Sequence, residues 1–133
     1  MASYQSISST AASRLAGKNV LVVEDIWVVA KALQSLLEET GLVVSGPSAT
    51  IGHAERLIAE QIPQLAVVDL KLKGEMAYGL IDCLYDRGVS VVAVSGLIST
   101  PPAKAAAIVQ KPFSGAELIE TLCNVVAAPT RES

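Results

Sequence analysis

Four short apolar runs, each ending abruptly in polar residues, constrain this chain more than any other feature. Val20-Leu21-Val22-Val23 ends in Glu24-Asp25, and Leu65-Ala66-Val67-Val68 ends in Asp69. Val91-Val92-Ala93-Val94 ends in Ser95-Gly96, and Ala106-Ala107-Ile108-Val109 is followed by Gln110, Lys111 and Pro112. Continuous rather than alternating apolar runs are the mark of strands covered on both faces, which parallel sheets require. Helical patterns lie between them. Val29, Leu33, Leu36 and Leu37 recur at helical spacing over 26–40, with Gly41 as the stop. Further helices are expected over 51–61 and 78–87, the latter closed by Gly88. The last is expected from an N-cap at Ser114, with Glu117 as capping-box partner, to Ala127. Strands are expected over 18–23, 42–46, 65–68, 90–94 and 107–110.

Repeated βα units with short loops imply right-handed crossovers and three layers. The expectation is an α/β, flavodoxin-like (βα)5 three-layer sandwich with parallel strand order 2-1-3-4-5. Pro101-Pro102 interrupts the segment where a fourth helix belongs, so that helix is expected to be short or missing. At 133 residues the chain is long enough for one domain with a real core. Residues 1–16, rich in Ser, Ala and Thr, read as a flexible N-terminal tail or a dimerisation arm anchored by Tyr4 and Ile7. Residues 17–128 read as the domain and 129–133 as a C-terminal tail.

Composition narrows the function classes. A net charge of −3 gives no electrostatic case for nucleic acid. No apolar stretch has the length of a membrane span, and no signal peptide is evident, so a cytoplasmic location is expected. Cys83 and Cys123 fall in separate helices and are expected to stay unpaired.

In an open parallel sheet, the carboxyl ends of the strands form the ligand edge. The expected strand order brings Glu24, Asp25, Asp69, Ser95 and Lys111 to one cleft there. Three carboxylates in one cleft repel one another, and a divalent cation relieves that repulsion. Hard oxygen donors in a wet site favour Mg²⁺. A lysine in the same place suits an anionic oxygen, phosphate above all, and a serine hydroxyl can donate to a second one. Carboxylate nucleophile, cation, lysine and hydroxyl make a set suited to phosphoryl transfer. Taken singly, each residue has a plainer use. Glu24 and Asp25 suit any helix N-terminus, Ser95-Gly96 suits a turn, and Lys71 and Lys73 suit a solvated loop. Trp27 is either an aromatic beside the cation or a helix-surface residue. His53 is expected to be exposed.

The motifs VLVVED (20–25), VVDLKL (67–72), VAVSG (92–96) and QKPF (110–113), in this order and spacing, resemble those of response-regulator receiver domains of two-component signalling. The resemblance covers residues 18–127 and implies a stand-alone, single-domain type. It implies that Asp69 is the phosphoacceptor, Ser95 the switch hydroxyl and Lys111 the phosphate contact. It implies Mg²⁺ held by Asp25, by Asp69, by the Lys71 backbone carbonyl and by Glu24 through water. It also implies a cis Lys111-Pro112 bond. The implied partners are a sensor histidine kinase, with a photosensory one among the options, a histidine phosphotransfer protein and a second copy in a homodimer. No enzyme of the ordinary kind is implied, since the protein would assist only its own phosphorylation and dephosphorylation.

The chain departs from the family pattern at several places. Ile108 stands where many receivers carry a switch aromatic. The stretch from Ser95 to Lys111 is short. The loop KLKGEMAYG (71–79) lacks the usual proline, as in a subset of stand-alone alphaproteobacterial-type receivers. No output domain is expected after residue 127. Two other readings stay open: a phosphorylation-independent docking module that keeps the fold, and a small Mg²⁺-dependent phosphatase. The second would need a D-x-D motif, and Asp69-Leu70-Lys71 lacks its second acid.

Overall fold

A computed structural model of the protein describes residues 13–96 and 100–128. The expected N-terminal arm with Tyr4 and Ile7, the C-terminal tail and residues 97–99 lie outside the described residues, apart from 13–16. There, 13–15 make a helical turn whose Leu15 is fully buried in the core. The packed unit thus reaches slightly beyond the expected boundary at residue 17.

Strands β1 (Asn19–Val23), β2 (Val43–Ser48) and β3 (Leu65–Asp69) alternate with helices α1 (Trp27–Glu39) and α2 (Ile51–Glu60). After β3 come two-residue strands β4 (Lys71–Leu72) and β5 (Glu75–Met76), then α3 (Tyr78–Asp86). Strands β6 (Ser90–Ser95) and β7 (Ala107–Gln110) and helix α4 (Gly115–Ala127) complete the order. The main sheet is parallel throughout, in the order β2-β1-β3-β6-β7. Its five strands, numbered within the sheet, run 2-1-3-4-5, the flavodoxin-like arrangement the sequence predicts. Residues 100–106 hold no helix, and Pro102 is buried among turns.

The sheet separates two apolar clusters. Val20, Val22, Val67, Val92, Val94 and Val109 face Leu33 and Leu37 of α1 and Leu118, Ile119 and Leu122 of α4. Leu21, Val23, Ala66, Val68, Val91 and Ala93 face Ala54 and Ile58 of α2 and Leu80, Ile81 and Leu84 of α3. All five residues of β3 are buried. This is why its sequence shows no alternation: both faces of the pleat meet helices. No helix among the described residues is long and apolar enough to cross a membrane.

Local chemistry sets the element ends. Thr50 Oγ1 accepts from His53 N at 3.1 Å, and Ser114 Oγ accepts from Glu117 N at 3.0 Å, each satisfying an orphan donor of a first helical turn. Gly46 has φ 93, and a Cβ there would lie 2.8 Å from Ser48 N and 3.0 Å from Val22 O. Only glycine fits that approach of β2 to β1. The Lys111-Pro112 bond is cis, as the resemblance implied, and so is Gly46-Pro47.

The β4–β5 hairpin was not legible in the sequence. Lys71 pairs Met76 and Leu72 pairs Glu75, around Lys73 and Gly74 with Gly74 at φ 83. The Lys73-Gly74 step is a turn signal, but two-residue strands are too short to carry a period.

Candidate functional site

The register of the sheet brings the polar strand ends together. Val23 pairs Val68, so Glu24 and Asp25 leave β1 beside Asp69, the last residue of β3. Asp69 pairs Val94, one residue before Ser95, and Ser95 pairs Gln110, one residue before Lys111. One carboxylate oxygen from each of Glu24, Asp25 and Asp69 lies within 4.8 Å of the others. Glu24 is 3% exposed and Asp69 5% exposed, a depth at which carboxylates need partners.

Those partners are identifiable. Lys111 Nζ donates to Asp69 Oδ2 at 3.0 Å. The Lys71 backbone N–H donates to Asp69 Oδ1 at 3.1 Å. The Ile26 N–H donates to Glu24 Oε2 at 3.0 Å, so Glu24 rather than a cap side chain of Ile26 serves the start of α1. The Lys73 N–H donates to Asp25 Oδ2 at 2.7 Å. This last contact explains the hairpin: it carries a backbone donor across the site to a carboxylate 48 positions earlier. Sequence reasoning read the Lys71 and Lys73 side chains as solvated loop charges and, from the resemblance, brought only the Lys71 carbonyl to the site; the two main-chain N–H donors carry no side-chain signal.

Burial pushes the Glu24 carboxyl up to about 7. The Ile26 N–H pulls it back, Asp69 raises it again by like charge and hydrogen bonding, and Lys111 lowers it. Near neutral pH Glu24 is therefore divided between its protonated and charged forms. The donor set consists of hard carboxylate oxygens in a cleft with one nearby ammonium group, and it suits a small divalent cation.

The five polar strand-end residues, Glu24, Asp25, Asp69, Ser95 and Lys111, lie at this edge. Glu24, Asp25, Asp69 and Lys111 form one cluster. Ser95 is buried in the adjoining strand, on the opposite side of the pleat from Asp69, because Val91 and Ala93 belong to the cluster under α3. The Lys111 backbone N–H donates to the Ser95 carbonyl at 2.8 Å and ties those two residues together. Trp27, 72% exposed, opens α1 together with the exposed Val28. His53 is half-buried rather than exposed, its Nδ1 held 2.8 Å from Ser48 Oγ. Neither Cys83 nor Cys123 is in a disulfide among the described residues.

No protein-family model matches the chain, and no curated protein matches it. Solved structures do. The response regulator PhyR from Brucella abortus superposes with a TM-score of 0.76 at 20% identity, over 89% of this chain and 51% of that one. A CheY-like response regulator receiver domain protein from Methanospirillum hungatei superposes with a TM-score of 0.76 at 25% identity, over 82% of this chain and 93% of that one. The non-phosphorylated HemR receiver domain from Leptospira biflexa gives 0.76 at 22% identity, over 87% and 99%. The chain spans about half the length of the PhyR proteins it resembles. It has the fold of response-regulator receiver domains, as the four motifs implied.

Proposed function

We propose that this chain, built on the receiver fold, accepts a phosphoryl group on Asp69 from the phosphohistidine of a sensor kinase or phosphotransfer protein. The observation that carries the reading is the 3.0 Å pair of Asp69 with Lys111 inside the carboxylate cluster. A buried acid joined to a lysine, with two further acids at hand, is costly unless the site has a use for it.

In the proposed step an Asp69 carboxylate oxygen attacks the phosphorus. The new O–P bond forms as the P–N bond of the donor breaks, and the imidazole nitrogen keeps the electron pair. Asp69 is poised for this because two donors, Lys111 Nζ and Lys71 N–H, fix its carboxylate. Lys111 then turns to an incoming phosphoryl oxygen, and the Ser95 hydroxyl donates to a second. Glu24, Asp25, Asp69 and the Lys71 carbonyl are the proposed holders of Mg²⁺, which when bound supplies neutralisation of the charge that develops on the phosphoryl oxygens. Water later hydrolyses the acyl phosphate, so the protein is a timed signal carrier in a phosphorelay of the cytoplasm. The receiver domain is proposed to span residues 17–128, with Leu15 just ahead of it packed into its core.

The docking-module alternative draws on two observations. Ile108 fills the place of the switch aromatic, and no helix spans 100–106. Both concern how phosphorylation is reported rather than whether it occurs. Beryllofluoride with Mg²⁺, followed by Trp27 fluorescence, separates the two. Saturable binding that requires Mg²⁺ and disappears in Asp69→Asn supports the phosphoacceptor, and no binding at millimolar Mg²⁺ supports the docking module.

A further inference from the structure

Residues 100–105, which lead into β7, are fastened to α3 at two points. The Tyr78 hydroxyl donates to the Thr100 carbonyl. Two turns further along the same face of the helix, seven residues on, the Tyr85 ring lies 5.4 Å under Lys104 Nζ. Ala105 also packs on the cluster beneath α3. Residues 100–105 therefore run along α3 as a strap, with Tyr78 and Tyr85 as its anchors.

Tyr78 differs from Tyr85 in what lies behind it. It follows Ala77, whose N–H donates to the Leu70 carbonyl at 2.8 Å, and Leu70 N–H donates to Val94 O at 2.8 Å. Ala77 and Leu70 are both buried. The backbone just before Tyr78 is thus hydrogen-bonded to the residue that follows Asp69, and Tyr78 packs against the cluster that contains that residue. Its hydroxyl grips the chain five residues past Ser95. Ser95, Tyr78 and Ile108 all belong to the α3 side of the sheet: Ile108 pairs Ala93 of that cluster, and Tyr78 packs against it. Ile108 is 39% exposed and has no polar group with which to follow a hydroxyl.

We infer that Tyr78 is the positioning residue that couples the acceptor site to the β6–β7 strap, and that its hydrogen bond to Thr100 holds the resting position. The inference rests on the phosphoacceptor reading. When the Ser95 hydroxyl is drawn to a phosphoryl oxygen on Asp69, the chain after it shifts, and the bond between Tyr78 and Thr100 breaks. An aromatic side chain from α3 thereby does on this face what an aromatic in β7 would otherwise do. A bond present in only one state biases the equilibrium between the two by its own net worth. Removing the hydroxyl should therefore favour the charged state.

The test uses the full chain, beryllofluoride and Mg²⁺, and the carbon-13 shift of the Thr100 carbonyl. In the wild type, saturation should move that carbonyl to the value Tyr78→Phe shows without ligand. Tyr78→Phe should bind beryllofluoride about two- to tenfold more tightly, the factor one neutral hydrogen bond implies. A residue that served only packing would move neither the carbonyl nor the affinity. Wild-type binding with an unmoved Thr100 carbonyl overturns the inference while leaving the phosphoacceptor reading intact, and so does unchanged affinity in Tyr78→Phe. A wild type that does not bind overturns both. The wild-type carbonyl measurement decides the matter even if the variant fails to fold.

Discussion

Asp69 and Lys111, 42 residues apart in sequence, form an ion pair with Lys111 Nζ 3.0 Å from Asp69 Oδ2. Asp69 is 5% exposed and the lysine side chain 34% exposed, so the acid is desolvated and the base partly hydrated. The pair offsets only part of the repulsion among three acids, and its two members should respond oppositely to removal.

Lys111→Ala takes away the ammonium group paired with Asp69 and leaves that acid buried beside Glu24 and Asp25. It should destabilise the cation-free protein by about 1–2 kcal/mol, less than a wholly buried pair would cost because the lysine is partly hydrated. Asp69→Asn removes a negative charge and should stabilise the cation-free protein at pH 8 by about 1 kcal/mol. Urea denaturation of both variants gives the two signs.

Glu24 makes stability depend on pH in an unusual direction. Its carboxyl titrates near 7 in the folded protein against 4.5 for an unperturbed glutamate, so the folded state binds this proton more tightly. The stabilisation is full below about pH 4.5, drains as pH rises, and is gone once pH passes about 7. Without a cation, melting temperature should fall across that window, and Glu24→Gln should flatten the fall. Mg²⁺ should raise the melting temperature more at pH 8 than at pH 5, because protonated Glu24 competes with the cation. Calorimetric melts at the two pH values, with and without Mg²⁺, check all three outcomes.

Two glycines should answer alanine in opposite ways. At Gly46, with φ 93 and Ser48 N 2.8 Å from the site of a Cβ, alanine should cost about 2 kcal/mol or more. At Gly52, in the first turn of α2, a Cβ meets nothing within 4 Å, and alanine should stabilise by about 0.5 kcal/mol. Paired denaturation curves measure the contrast.

What the sequence revealed and what it concealed follow from one physical distinction. Strands buried on both faces must be apolar throughout, so β1, β3 and β6 announced themselves, and their polar ends marked Glu24, Asp25, Asp69 and Ser95. Lys111 followed from the same logic, and the cis bond to Pro112 from the family resemblance alone. Contacts made by the backbone left no trace. The Lys73 N–H on Asp25 and the Ile26 N–H on Glu24 depend on where a loop passes, not on which side chain it carries. The β4–β5 hairpin was too short to show a period. The hydrogen bond from Tyr78 to Thr100 joins residues 22 apart, and nothing in either one's neighbourhood signals the other.

The central claim is that Asp69 accepts phosphate, and intact-mass spectrometry after incubation with acetyl phosphate and Mg²⁺ tests it most directly. The account predicts one added phosphoryl group that requires Mg²⁺, is released by hydroxylamine as an acyl phosphate must be, and is absent in Asp69→Asn. An adduct that persists in Asp69→Asn, or no adduct on a folded wild-type protein, would contradict it.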